Sequence, residues 1–119
     1  MTASSLPAAL RAGAEGLYTL EAAAGLIIAH GTWLARDDFA RFIHRGAETA
    51  AIDWEAAISA LDAGELPSSS GERRMLRLAA SLADQASVSL GEAITGIDDR
   101  NVGLLVKAVL HASGRRQFG

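Results

Sequence analysis

YTLEAAAGLIIAHGTWL, residues 18–34, is the stretch around which the rest of the chain has to be arranged. Leu20, Ala22, Ala23, Ala24, Leu26, Ile27, Ile28, Ala29, Trp33 and Leu34, set at helical spacing, put apolar groups around nearly the whole circumference. Only Glu21 and His30 interrupt them. A helix of that kind has to be covered on all sides. Thr19 fits its N-cap and Glu21 its first turn, where the macrodipole favours a negative charge. His30 falls at the far end, before a Gly31 that can take the left-handed conformation of a C-cap. The expectation is a buried central helix over about 18–31.

A chain of 119 residues is one domain's worth and can build a packed core without disulfides or a structural metal. Half of it is hydrophobic but aromatics make up 5%, so the apolar content is mostly alanine and leucine, which favour helix over strand. The fold expected is all-α, a single-domain bundle of about six helices around the 18–31 helix. A net charge of −3 and a pI near 5.5 give no bulk attraction to nucleic acid or to an anionic membrane. The absence of cysteine excludes disulfides, thiolate nucleophiles and thiolate metal sites, and suits a reducing cytosol. MTASSLPAAL lacks a basic segment ahead of an apolar one, and the longest apolar run, Ala22 to Ala29, falls short of the roughly 20 residues of a spanning helix. The placement expected is cytoplasmic.

Residues 1–4 read as a disordered N-terminus, 5–114 as one helical domain and 115–119, RRQFG, as a mobile tail. Pro7 fits the first turn of a short helix that Gly13 or Gly16 ends. In ARDDFARFIHRG the residues Ala35, Phe39, Phe42 and Ile43 make one stripe, Asp37 and Asp38 suit a first turn, His44 and Arg45 a last turn, and Gly46 a stop. Gly46 to Ile52 reads as a loop. DWEAAISALDAG follows, with Asp53 as N-cap, Trp54, Ala57, Ile58 and Leu61 inward, and Gly64 as C-cap. Ser69 with Glu72 forms a capping box for a helix that turns Met75, Leu78, Ala79, Leu82 and Ala86 inward, and Ser89 with Glu92 a second one for LGEAITG. Asp98 caps the last helix, which runs to Gly114. Leu26, Ile27, Leu78 and Leu82 are the expected centre of the core.

Few residues carry a pattern that chemistry would need. Val88 to Gly114 has the outline of a helix-turn-helix that would read DNA with Arg100, Asn101 and the helix after them. Gly96, however, follows Ala93 by three residues rather than four, and Asp98 and Asp99 would face phosphates with like charge. Ser68, Ser69, Ser70 and Gly71 ahead of Arg73, Arg74 and Arg77 place hydroxyls, free N–H groups and guanidinium groups at a helix start, a candidate anion site centred on Ser69, Ser70, Gly71, Arg73 and Arg74, although the capping box already accounts for Ser69 and Glu72. His30, His44 and His111 each fall near a predicted helix C-terminus, where the dipole explains them, and none has a ligand partner at helical spacing. No serine sits in a glycine-flanked elbow. No catalytic residue, metal or cofactor is expected.

The runs AAAGLIIAHGTWLARDDF, SSGERRMLRLAASLAD and VSLGEAITGIDDRNVGLLVKAVLHASG resemble a group of small uncharacterised helical proteins common in high-GC Gram-positive bacteria. The likeness covers most of the chain, implies no activity and carries over no site residue. What the residues themselves predict is a non-enzymatic interaction module. A second helix, with Val102, Leu104, Leu105, Val106, Val109 and Leu110 on every side, cannot also be enclosed in so small a domain, so these six are the candidate interface of a homodimer or a contact for another protein. A small DNA-binding regulator using about 88–112 is the alternative.

Overall fold

The computed structural model describes residues 5–114; the expectations for residues 1–4 and 115–119 lie outside them. Helix α1, Leu6–Ala14, begins where the Ser5 hydroxyl accepts the Ala8 N–H, with Pro7 in its first turn. It runs through Gly13 and breaks at Gly16, whose φ of 97° suits a residue without a Cβ. Helix α2, Tyr18–His30, follows with Leu17 in the cap position and no side-chain cap, so Thr19 does not have the role expected of it. The Glu21 carboxylate takes over part of that task by reaching back to the Gly16 N–H at 2.9 Å. Gly31 closes α2 in the left-handed conformation, its N–H on the Ile27 carbonyl at 3.1 Å.

The next segment corrects the all-α expectation. Instead of one helix from Ala35 to Gly46 there is a 3₁₀ helix, Asp37–Phe42, and then a hairpin of strand β1, Ile43–Arg45, and strand β2, Ala50–Ile52. Ile43 pairs with Ile52, His44 with Ala51 and Arg45 with Ala50, so part of the expected 46–52 loop is strand. The cause is non-local. Phe39 and Phe42 already reach the core from the 3₁₀ turns, and Ile43 and Ile52, β-branched, suit a paired extended backbone. Ladder bonds from Asp53 N–H to the Phe42 carbonyl and from Gly46 N–H to the Thr49 carbonyl, both 2.8 Å, leave the Ala50 carbonyl pointing away from β1. There it meets Gly13 of α1, where any Cβ would run into that oxygen. Gly13 is thus a close-approach residue and not a helix stop. His44, expected at a helix end, lies exposed on β1.

Helix α3, Trp54–Asp62, starts on the Asp53 side chain, which accepts the Ala56 N–H, and ends before a left-handed Gly64. Helix α4, Ser70–Leu82, carries the full capping box: Glu72 N–H to the Ser69 hydroxyl at 3.1 Å and Ser69 N–H to the Glu72 carboxylate at 2.7 Å. That Ser69 N–H is the first cause of a Glu72 carboxyl held below its ordinary range. The core is continuous. Leu26, Ile27 and Leu78 lie in it as expected, with Trp33, Phe39, Leu66, Met75 and Leu76 wholly enclosed, and the Trp33 indole donates to the Glu72 carbonyl at 3.0 Å. Leu82, expected at the centre, is half-buried at the end of α4; Leu76 and Ala80 belong to the buried face instead.

Two helices complete the fold, α5, Leu90–Thr95, and α6, Asp99–Ala112. Asp98 caps α6 through the Asn101 N–H at 2.8 Å, but Ser89 makes no side-chain cap on α5, so the second capping box does not form. Helix α2 packs against α1, α4 and α6; α6 packs against α2 and α4; α3 lies on α4, and β2 on α1. With the 3₁₀ turn, seven helices and one small sheet make up the described residues, in place of about six helices.

Candidate functional site: the outer flanks of the last helices

Helix α6 is three-sided. Asn101, Leu105 and Ala108 face inward. Val102, Val106 and Val109, at i, i+4 and i+7, form one outward stripe and keep 36, 44 and 48% of their surface exposed. Of the six candidate interface residues these three are the open ones; Leu104 and Leu110 are half-buried, and Leu105, at 6% exposed, belongs to the core and leaves the surface set. Helix α5 repeats the arrangement on a smaller scale, with Ala93 buried and Leu90 and Ile94, at i and i+4, exposed. The spacing of LGEAIT sets Leu90 and Ile94 on one face, and the packing of Ala93 turns that face outward.

On the other flank of α6 a groove of about 380 Å³ runs between α1, α2 and α6. Its floor is Ala22, Gly25, Leu26, Ala29, Leu104 and Ala108, and Arg11, Glu21, Lys107 and His111 stand over it. So α2 is not covered all round, contrary to the expectation: its smallest residues, Gly25 and Ala29, line an open space. The two Glu21 oxygens are both engaged, one by the Gly16 N–H and the other by His111 Nε2 at 2.7 Å. The Gly16 N–H, and then His111, hold the Glu21 carboxyl below its ordinary range. With both oxygens taken, the carboxylate positions His111, whose ring also receives Tyr18 edge-on at 6.0 Å, rather than serving as a free base. His111 and Glu21 stand 90 residues apart, and no sequence pattern announces the pair.

Compared with protein-family models, with curated proteins and with solved structures, this chain matches none. Function is therefore argued from its own geometry. Among the described residues no helix is long and apolar enough to cross a membrane, and no group of three His, Cys, Asp or Glu side chains is placed to hold a metal ion.

Of the two residues on which the DNA-binding alternative rests, Asn101 turns inward and Arg100 stays exposed but is engaged by the protein itself. Arg100 donates to the Ala29 carbonyl at the end of α2, at 3.0 Å, and Asn101 is buried, 9% exposed. Among the described residues, Asn101 Oδ1 and His30 Nδ1 are both buried without a hydrogen-bond partner at this junction of α2 and α6. Burial, followed by the nearby Arg100 charge, lowers the His30 pKa.

The candidate anion residues divide as well. Ser69 is used up by the capping box, and Gly71 stands apart. Ser70, Arg73 and Arg74 line a cleft between α4 and the 87–93 segment. Arg77, which the sequence sets beside Arg73 and Arg74, completes it together with Ser87 and with Ser89 and Glu92, which the sequence offers only as a capping box.

Proposed function

We propose that this chain is a non-enzymatic helical interaction module that works in the cytoplasm as a homodimer joined through the outer faces of α5 and α6. One observation carries the reading. Val102, Val106 and Val109 form an unbroken apolar stripe in water on a helix whose inward face is already satisfied by Leu105 and Ala108. Single exposed apolar residues are ordinary, but three aligned on one helix face mark a surface that gains by being covered, and Leu90 and Ile94 add exposed apolar area on the preceding helix. A second copy suits it because an isologous pairing about a two-fold axis perpendicular to the helix lays two α6 helices antiparallel. The macrodipoles then oppose, and the acidic first turn at Asp98 and Asp99 lies beside the partner's C-terminal half, where Lys107 is.

Light scattering behind size exclusion at micromolar concentration tests this. The native chain is expected at twice its 12.4 kDa mass, and Val106→Glu at the single mass with unchanged helical circular dichroism, since a buried unpaired carboxylate opposes the contact. A native chain that stays at the single mass, or a Val106→Glu chain that stays at the double one, would refute it.

A further inference from the structure

Helix α4 turns Ser70, Arg73, Arg74 and Arg77 toward the 87–93 segment, four positions that fall within about 100° of helical arc. Ser87, Ser89 and Glu92 stand opposite, and about 280 Å³ lies between the two walls. Arg73 donates to the Ser68 carbonyl at 2.8 Å and Arg74 to the Gly96 carbonyl at 3.3 Å. A carbonyl fixes a guanidinium group without cancelling its charge, and one bond leaves most of the five N–H donors free. Neither arginine has a carboxylate partner among the described residues, whereas Arg77 is paired with Asp62. Gly96 helps to set Arg74, because a Cβ there would collide with its guanidinium.

The opposite wall adds donors. The Ser87 and Ser89 hydroxyls are without partners among the described residues, although Ser89 occupies a cap position where a hydroxyl ordinarily bonds its own helix. Ser70 Oγ lies 3.5 Å from an Arg74 nitrogen. Glu92 is the one carboxylate of the lining, and its side chain is likewise unpaired. The cleft thus gathers hydroxyl and guanidinium donors, with two arginines that no carboxylate pairs set against the single negative charge of Glu92. Three hydroxyls and the guanidinium groups outnumber the two oxygens of a carboxylate and match the three terminal oxygens of a tetrahedral dianion. A polyanion is a poorer fit, since the chain as a whole carries −3 and Glu92 and Asp62 flank the site. We propose that the α4–α5 cleft binds the phosphoryl group of a small phosphomonoester.

Inorganic phosphate shares that chemistry, so two probes are used. The full chain is titrated with inorganic phosphate and with glycerol 3-phosphate at constant ionic strength, and amide shifts are followed by NMR. Saturable shifts confined to 70–77 and 87–93, with dissociation constants below about 10 mM, are expected. Tighter binding of the ester assigns the site to phosphomonoesters, and equal binding to the phosphoryl group alone; either carries the site. Arg73→Gln and Arg74→Gln should each weaken binding about tenfold, Glu92→Gln should tighten it, and Arg41→Gln, in the 3₁₀ helix and outside the cleft lining, should leave it unchanged. Because Arg74 also steadies α5, the exposed Arg73 is the deciding variant. No saturable shift by about 10 mM of either probe, or binding undiminished in Arg73→Gln, overturns the proposal.

Discussion

Helices α2 and α6 carry apolar residues around nearly their whole circumference, and the fold treats them differently. Helix α2 passes between α1, α4 and α6 and buries Ala22, Ala23, Ala24, Leu26 and Ile27. Helix α6 has neighbours on one side, α2 and α4, and buries Asn101, Leu105 and Ala108. An apolar circumference states what a helix could bury; its place in the packing order decides what it does bury. The residues left open differ in kind as well. Beyond Tyr18 at its start, the side of α2 that is left open toward the groove carries Gly25 and Ala29, with almost no side chain to hydrate, whereas the apolar residues exposed on α6 are valines. Each exposed methylene forgoes about 0.8 kcal/mol, so the open face of α6 gains more from a cover than that of α2.

The largest effect that would break this contrast is a truncation on α2. Ile27 is wholly enclosed, and Ile27→Ala should cost about 2–5 kcal/mol in urea unfolding. Val109→Ala, made in the monomeric Val106→Glu background, should change stability by less than about 0.5 kcal/mol. Similar costs at the two positions would mean that the helices are equally covered. A smaller effect of opposite sign is expected at Gly25. A methyl there would meet the Arg11 guanidinium at an ordinary 3.9 Å, so Gly25→Ala should stabilise by about 0.5–1 kcal/mol through helix propensity. A loss of stability would show that the groove is closed in solution.

The gentlest test lies where α2 and α6 meet, at His30. Its folded pKa lies below the ordinary 6.5, so as the pH falls the unfolded chain takes up a proton before the folded one does. The stability that depends on a neutral His30 is present above pH 6.5 and is lost progressively below it. The urea midpoint should fall between about pH 7 and pH 5, and His30→Gln should flatten that slope. Glu21 and Glu72, depressed from 4.5, act in the opposite window: their contribution is present above that value and is lost at lower pH. An unchanged slope in His30→Gln would remove burial as the cause.

What could be read from the sequence was local. Asp53, Ser69 with Glu72, Asp98 and Gly31 act within one turn of their own helix, and each stands where its spacing placed it. Features that depend on distant partners were out of reach. Ile43 forms a strand because Ile52 lies opposite, Glu21 supplants Thr19 because Gly16 turns back toward it, and Leu105 is enclosed because α2 and α4 meet α6 on that side. For the candidate sites, Val102, Val106 and Val109 stood among six residues spread round every side of α6, and which three stay open is decided by where α2 and α4 pack. Arg73 and Arg74 were visible as a basic pair, but their opposite wall of Ser87, Ser89 and Glu92 is brought to them by the turn between α4 and α5.

The glycine at position 13 has a consequence for how molecules of this protein meet one another. A two-stranded sheet has two unpaired edges, and such edges recruit strands from other chains. At Ala50 the bare helix backbone of α1 lies directly against the outward carbonyl of β2, closing that edge where the ladder leaves an acceptor free. β1 is three residues long and shows exposed His44 and Arg45. The hairpin is therefore a poor template for edge-to-edge growth into fibrils.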